Sequence, residues 1–554
     1  MEEIVKIFAL GGLDERGKNL YVVEINNDIY VLDCGLKYPE KTMPGIDSVM
    51  ADISYLKENK DRIKAFLITH YHSDVIGALP YVLKDINAPV YATKRTIFYI
   101  KDTAKNSYVN IDHVTFNEIE KNSKIQIAGR NVTFFAMTHS AGDNVGIAIN
   151  TSKGNIVYSS DFIFDFSASK TYACNINLLS QIANEGVLCL LCESEGCEIP
   201  GYTAPNHKFT PIIEKYFRGN GRVIMSLYSQ RSYGVYEVLA LAHKYNKKVC
   251  LYNRSMQRVV KGIKEIGLLN AGLDNIVDYS YIEDHDDVLI LVSGVGQRVF
   301  RELIKLADGN KDKNFMIRPT DTIIIGTPPV SGLEIMAANA SDALYSSGAK
   351  VVTVSNKQVS SMHAHAEDIK MLINILKPKY FMPVKGEYRS LLANAMMAVD
   401  LNIGFDYSNV IVFDNGMVVK FVDGKKDDFF NEQVKIGDVY IDGLGVGDVE
   451  NHVIITRQKM ADNGVVILGA TVSKEQRKVI AGPDVQMRGF VFLKDADNLV
   501  KDISTTFIDT LNEYLQTELQ DLEDCKKRIK EKIIFKIKKS TGKDPLIIPA
   551  LIEL

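Results

Sequence analysis

The 554-residue chain has no run of about eighteen or more apolar residues, so its sequence predicts no membrane-spanning helix. Its first residues, Met1-Glu2-Glu3-Ile4-Val5-Lys6, enter a strand-like segment at once, without the charged-then-apolar layout of a secretory signal. Seven cysteines without regular spacing make no disulfide framework and fit a reducing cytosol. Positive charge is not in excess either. With 65 Lys and Arg against 69 Asp and Glu, the formal charge of -4 excludes a general electrostatic pull on nucleic acid. Internal repeats and low-complexity linkers are also missing. What remains is a cytoplasmic globular protein, 46% hydrophobic and long enough for about three or four domains.

Over the first 160 residues, short strands alternate with loops and helices. Residues 21–25 and 29–33 read as strands around Asn26-Asn27-Asp28, a hairpin-turn composition. The apolar run Ala65-Phe66-Leu67-Ile68-Thr69 predicts a strand that delivers His70 to its end, and 76–81 predicts the start of a helix. Residues 155–159 predict a strand ending near Asp161. Polar groups at the C-terminal ends of apolar strands point to an α/β chain of layered αβ/βα architecture, with its site along one sheet edge.

From about 210 to 350 the pattern changes. Strands at 222–226, 248–252, 288–292 and 321–325 alternate with helices, which predicts an inserted, largely parallel sheet. Residues 350–354 and 378–383 are expected to return to the first domain. From about 455 a small α/β unit follows, with strands near 464–468 and 546–548. The expected division is 1–208 and 350–425 for the first domain, 209–349 for the insertion, 426–454 for a linker and 455–554 for the last unit. That last unit carries Lys526, Lys527, Arg528, Lys530, Lys532, Lys536, Lys538 and Lys539, which read as the solvated face of an amphipathic helix. Ile529, Ile533, Ile534 and Ile537 are on its buried side, and such a basic face can also touch phosphates.

The chemistry concentrates in Thr69-His70-Tyr71-His72-Ser73-Asp74. Histidine nitrogens and carboxylate oxygens suit zinc or manganese, and an H-x-H-x-D loop places several ligands around one point. His70 and His72 alternate by two, so an extended loop points both the same way. With His139 they make a three-nitrogen set; Asp161 is suited to bridge two ions, and Asp74 would belong to the second. His113, His207, His243, His285 and His452 read as ordinary surface or hydrogen-bonded residues. Cys189, Cys192 and Cys197 have a spacing that invites structural zinc. The first two nevertheless lie in an apolar run best read as a buried strand, and no fourth ligand is suitably spaced.

Several motifs, in order, resemble ribonuclease J. They are Gly11-Gly12-Leu13 with Gly17-Lys18-Asn19, Asp33-Cys34-Gly35-Leu36 with Pro39-Glu40, Thr69-His70-Tyr71-His72-Ser73-Asp74 and Pro383-Val384-Lys385-Gly386-Glu387-Tyr388-Arg389. Near the end, Ile480-Ala481-Gly482-Pro483 and Arg488-Gly489-Phe490-Val491 add to them. The resemblance spans essentially the whole chain. It implies a four-layer αβ/βα metallo-beta-lactamase fold with an inserted parallel-sheet beta-CASP domain and a small C-terminal α/β domain. It also implies a 5′-to-3′ exo- and endoribonuclease of RNA decay and maturation, assembled as dimers or tetramers partly through the C-terminal domain.

By that resemblance one ion takes His70, His72, His139 and the bridging Asp161. The second takes Asp74, Asp161 and two positions that here read Val75 and Lys385. Valine cannot ligate, and a lysine ammonium repels a cation. A protonated Lys385 partnered by Asp74 and Asp161 is expected where the second ion's charge would be. The cofactor expected is therefore one zinc ion, or manganese, without a full second ion. Glu193 keeps an expected acidic residue, whereas Tyr233 replaces a histidine and Ser293-Gly294-Val295-Gly296-Gln297-Arg298 departs from the usual phosphate-cradling order. Val359, Ser360, Ser361, Met362 and His363 correspond to an RNA-contacting element in which Met362 replaces glycine. His363 and Asp74 are the candidate catalytic residues, while His365 is expected to begin a helix without a direct role. The chain thus resembles a degenerate second paralogue, weakly active on RNA. Its expected assemblies are a homodimer and a hetero-oligomer with an active ribonuclease J. The alternative is a catalytically inactive scaffold that assembles or stabilises the active subunit; a lactonase-like hydrolase fits the insertion and C-terminal domain poorly.

Overall fold

The computed structural model describes residues 2–40, 42–219, 221–265, 275–309, 315–330, 332–428, 432–473, 475–489, 496–517 and 521–554. Phe490 and Val491 of the last sequence motif, and part of the expected linker, lie outside them. The chain divides into two compact units, Met1–Lys37 with Met50–Asp438, and Tyr38–Val49 with Val439–Leu554.

The first unit contains two facing mixed sheets. One runs Lys425–Lys426, Val419–Val422, Ile4–Gly11, Leu20–Ile25, Asp28–Leu32, Ile63–Leu67, Val90–Ala92 and Phe116–Glu118 in spatial order. The other runs Tyr380–Val384, Val187–Glu193, Gly154–Tyr158, Val145–Thr151, Arg130–Ala136 and Ser123–Ile127. Their inner faces share one core, including Ile7, Tyr21, Leu67, Phe134, Tyr158 and Met382. Helices Ile176–Asn184 and Ala366–Leu376 close the outer face of the second sheet through Leu179, Ile182, Leu372 and Ile373. This is the αβ/βα layering expected from alternating strands and helices. The first hairpin is tight because Ile25 pairs with Asp28 across Asn26-Asn27, and Asn26 takes the left-handed conformation that asparagine tolerates.

The expected strand before His70 ends early, at Leu67. The Thr69 N–H donates to Asp33 Oδ1 at 2.9 Å instead of to a neighbouring strand, so the chain leaves the ladder and carries His70 beyond it. The helix expected at 76–81 is two short pieces, Ser73–Ile76 and Leu79–Leu83.

The insertion forms a sheet in the order Ile276–Val277, Lys248–Leu251, Val288–Gly294, Val223–Tyr228, Thr322–Ile325 and Lys350–Thr353, with every pairing parallel. Helices cover both faces, which explains strands that read as continuous apolar runs. One expectation is corrected here. Residues 350–354 do not return to the first domain: Lys350–Thr353 pairs with Thr322–Ile325 as the outer strand of the inserted sheet. Helix Glu334–Tyr345 is the crossover between them, and such a unit returns its second strand to the same sheet.

In the second unit, strands Lys478–Arg488, Val465–Ser473 and Leu546–Glu553 form a sheet with helices Ala496–Leu515 and Leu522–Thr541 packed on it. Among the described residues, no helix is long and apolar enough to cross a membrane.

Candidate metal centre

His70, His72, His139 and Asp161 converge. Each offers one ligand atom, and these atoms lie within 4.8 Å of one another with all four residues buried. His70 Nε2 is 3.4 Å from Asp161 Oδ2, His139 Nε2 is 3.8 Å from the same oxygen, and His72 Nδ1 is 3.3 Å from His139 Nε2. Burial pushes all three imidazoles below their ordinary range, and for His70 the neighbouring His72 and His139 add to it. Neutral imidazole is the form that ligates metals.

Two backbone carbonyls set the tautomers. The His72 Nε2–H donates to Gln230 O at 2.9 Å, leaving Nδ1 as a lone pair. The His139 Nδ1–H donates to Met362 O at 2.7 Å, leaving Nε2 free. On His70, Nδ1 lies 3.0 Å from Thr69 Oγ1. Such outer contacts orient metal-binding histidines.

The donor set fits one cation. His70 Nε2 and Asp161 Oδ2 are buried without a hydrogen-bond partner, an arrangement that is costly unless a cation satisfies it. Three nitrogens and one carboxylate oxygen suit tetrahedral zinc.

The neighbouring position is occupied by the chain itself. Lys385 is 1% exposed, with Nζ 2.5 Å from Asp161 Oδ1 and 3.9 Å from Asp74 Oδ2. Burial alone would lower its pKa, but the Asp161, Asp74 and Asp33 carboxylates outweigh burial and hold the ammonium charged. Burial likewise opposes ionisation of Asp161, and Lys385 leads the groups that overcome it and hold that carboxyl well below its ordinary range. Val75 is buried in the short helix Ser73–Ile76 and offers no ligand atom. Asp74 belongs to neither metal-sized cluster found among the described residues. Its Oδ2 accepts instead from Asn19 Nδ2 at 3.1 Å.

A second cluster adjoins the first. His363 Nδ1 lies 2.7 Å from Glu193 Oε2 and 4.0 Å from Asp161 Oδ1, and its Nε2 lies 3.4 Å from Glu195 Oε2. The other Glu193 oxygen accepts from the backbone N–H of Phe162 and Ala364 at 2.6 and 3.1 Å, which fixes it. Burial opposes a charge on His363, yet Glu195 and Glu193 overcome it and push its pKa up to about 10. Burial raises Glu193 to about 7, against the pull of His363.

The segment around His363 differs residue by residue. Val359 is buried in the core of the inserted sheet, Ser361 is exposed, and the Ser360 carbonyl accepts from Arg231 Nη2 at 2.8 Å. Met362 does not take a positive φ. Its side chain packs with Ile163, Tyr172 and Tyr233, so two residues singled out as departures, Met362 and Tyr233, form one apolar cluster. His365 caps helix Ala366–Leu376 through a reciprocal pair with Asp368. Cys189 and Cys192 lie in the wholly buried strand Val187–Glu193.

Three participants escaped the sequence reading of roles. Asp33 was visible only as part of a motif; buried, it accepts from Thr69 and from the Tyr158 hydroxyl at 2.8 Å. Glu195 had only its proximity to Glu193 to mark it. Gln230 acts through its carbonyl, which no side-chain pattern reports.

Four family models match the chain. The metallo-beta-lactamase superfamily covers residues 13–173, the ribonuclease J beta-CASP domain 220–344, a Zn-dependent metallo-hydrolase RNA specificity domain 349–406 and the ribonuclease J C-terminal domain 452–554. Ribonuclease J 2 of Staphylococcus aureus (strain NCTC 8325 / PS 47) is 33% identical over 554 residues, 99% of this chain and 98% of that protein. Ribonuclease J 2 of Staphylococcus saprophyticus is 33% identical over 553 residues with the same coverage. A solved protein of unknown function from Enterococcus faecalis V583 shares the fold with a TM-score of 0.52 and 13% identity, covering 76% of this chain and 100% of its own.

Proposed function

This chain belongs to the ribonuclease J family, and we propose that it is a slow, metal-dependent RNA phosphodiesterase holding one ion where a two-ion centre would hold two. The observation carrying this reading is Lys385, with its Nζ 2.5 Å from Asp161 and 3.9 Å from Asp74. An ammonium at that point supplies the second cation's charge and repels a second cation.

His70, His72, His139 and Asp161 are assigned to the ion. Zinc is the best match to the donor set, with manganese the weaker one. When bound, the ion supplies Lewis acidity toward a phosphoryl oxygen and an attacking water. The remaining chemistry belongs to side chains. His363, kept protonated by Glu195 and Glu193, donates its proton to the leaving oxygen. Asp74, steadied by Asn19 and 29% exposed, accepts the proton of the incoming water. Lys385 fixes Asp161 and adds positive charge next to the scissile phosphate. The segment 359–363 seats the RNA, Ser361 and His363 by side chain and the buried Val359 through its backbone.

Without the paired-ion clamp on attacking and leaving oxygens, cleavage is slow. We therefore assign the chain to cytoplasmic RNA decay and maturation as a homodimer and as partner subunit of an active paralogue. We place its inserted domain at 209–349 with the strand Lys350–Thr353 added, between two parts of the first domain, and the C-terminal domain at 455–554 after the linker 426–454. A catalytically inactive scaffold is the second reading, favoured by the engagement of Asp161 Oδ1 with Lys385, which makes that carboxylate a poorer ligand.

Degradation of a 5′-monophosphorylated RNA with added zinc or manganese separates the two. Slow cleavage by the natural chain, lost in Asp74→Ala and at least tenfold faster in Val75→His/Lys385→His, supports the enzyme. Cleavage no faster than in Asp74→Ala, with activity gained in the double variant, supports the scaffold.

A further inference from the structure

Helix Leu522–Thr541 buries Cys525, Ile529, Ile533 and Ile537, one residue per turn, against the sheet of the second unit. Its other side is unusual in two independent ways. Lys527, Arg528, Lys530, Lys538 and Lys539 are exposed and have no ion pair among the described residues. In contrast, Lys526, Lys532 and Lys536 on the same helix are tied to Glu523, Glu513 and Asp502. Among the untied cations, Phe535 leaves 72% of its surface in water. At 100° per residue Phe535 falls between Arg528 and Lys538 on the outward face, together with Glu531 and Asp524.

We propose that this face is a track for single-stranded RNA, separate from the metal centre, with Phe535 stacking on a base and the untied cations following the phosphates. The inference rests on the reading that the chain handles RNA. Basic side chains interleaved with an exposed aromatic are the composition of a sequence-tolerant single-strand surface, because every base has a face to stack. A protein-docking face would gather several apolar groups, whereas here one ring stands beside Arg528, Lys538 and Lys539, with Asp524 and Glu531 on the same face and Lys527 and Lys530 farther round the helix. From Lys527 to Lys539 the track is about 18 Å long, enough for a few nucleotides. Since the whole chain is net acidic at -4, the attraction must be local to such a patch.

The test is fluorescence anisotropy of the full-length chain with a labelled single-stranded RNA, in chelator so that no cleavage intervenes. Lys527→Gln/Lys538→Gln/Lys539→Gln is expected to weaken binding at least tenfold and to flatten the dependence of log K on log salt by about 2. Phe535→Ala should weaken binding about fivefold or more without changing that slope. Lys60→Gln/Lys84→Gln/Lys105→Gln, the same charge change elsewhere on the surface, should have less than a twofold effect. Equal losses in both triple variants, or none in the first with the fold intact by circular dichroism, would overturn the proposal. So would a triple variant that binds RNA normally but loses self-association in ultracentrifugation, which would make the face a protein-docking surface. Photo-crosslinking of the unmodified chain to 4-thiouridine RNA needs no variant to fold. A crosslink mapped to residues 527–539 supports the track, and crosslinks confined to the first unit overturn it. A chain that binds no RNA at all overturns the functional reading as well.

Discussion

Lys385 occupies a left-handed backbone conformation, φ 57°, that a side chain with a Cβ adopts at a cost of about 1–2 kcal/mol. Its neighbours hold it there: its N–H donates to the Tyr21 hydroxyl at 3.2 Å, and its carbonyl accepts from Ser194 N–H at 3.1 Å. The lysine thus arrives in the site because the loop is fixed from both sides. Replacing it by methionine leaves Asp161 as an unpaired buried charge, a loss of about 3–5 kcal/mol in comparable pairs. Lys385→Met is therefore expected to lower the thermal midpoint by several degrees in chelator, with zinc recovering most of that loss by neutralising the same carboxylate. Thermal scans with and without zinc check this; an equal loss in both would show that the two cations do not share Asp161. At His363 the expected outcome is kinetic. His363→Gln should lower cleavage about 100-fold and RNA affinity by much less, because the proton donor is lost while the rest of the 359–363 segment still seats the RNA; single-turnover rates beside anisotropy measure both. The sequence could reveal His70 and His72 because alternation by two is a local geometric signal. It could not reveal Gln230 and Met362 as the groups that set the tautomers, because backbone carbonyls carry no residue signature.

At the scale of elements, apolar runs with clear turns were legible and their edges were not. The hairpin at Asn26-Asn27 and the parallel inserted sheet follow directly from their residue patterns. The strand before His70 stops at Leu67 because a distant carboxylate, Asp33, takes the next free N–H, which no local pattern encodes. Residues 350–354 join the inserted sheet rather than the first domain because the β-branched run Val351-Val352-Thr353-Val354 specifies a strand but not its neighbour. Packing between elements also explains His207. It is buried, its Nε2 lies 3.2 Å from Asp165 Oδ2, and its ring stands 5.2 Å from that of Tyr233. Burial lowers its pKa from 6.5 to about 4, aided by Lys208 and Arg231 and opposed by Asp165. Between those values the unfolded chain binds the proton and the folded chain does not. Stability is full above about pH 6.5 and falls as the pH drops toward 4, by up to about 3 kcal/mol. Urea midpoints measured across that window should decline in the natural chain and decline less in His207→Gln. An identical decline would remove His207 as a source.

For the whole molecule, composition excluded much and assigned little. A net charge of -4 says nothing about a ribonuclease until the charges are placed, and placing them separates a buried Lys–Asp pair from an exposed basic helix. The family follows from motifs kept in order along the chain, whereas the proposal of slow cleavage turns on two positions. On the proposed reading, Val75 and Lys385 leave the set His70, His72, His139 and Asp161 intact and offer no histidine to a second ion. The most direct test is therefore a count. Metal per chain, measured by inductively coupled plasma mass spectrometry after dialysis against zinc, should be close to one in the natural protein and close to two in Val75→His/Lys385→His. Two ions in the natural chain would contradict the account, because Lys385 would then not fill the second ion's place.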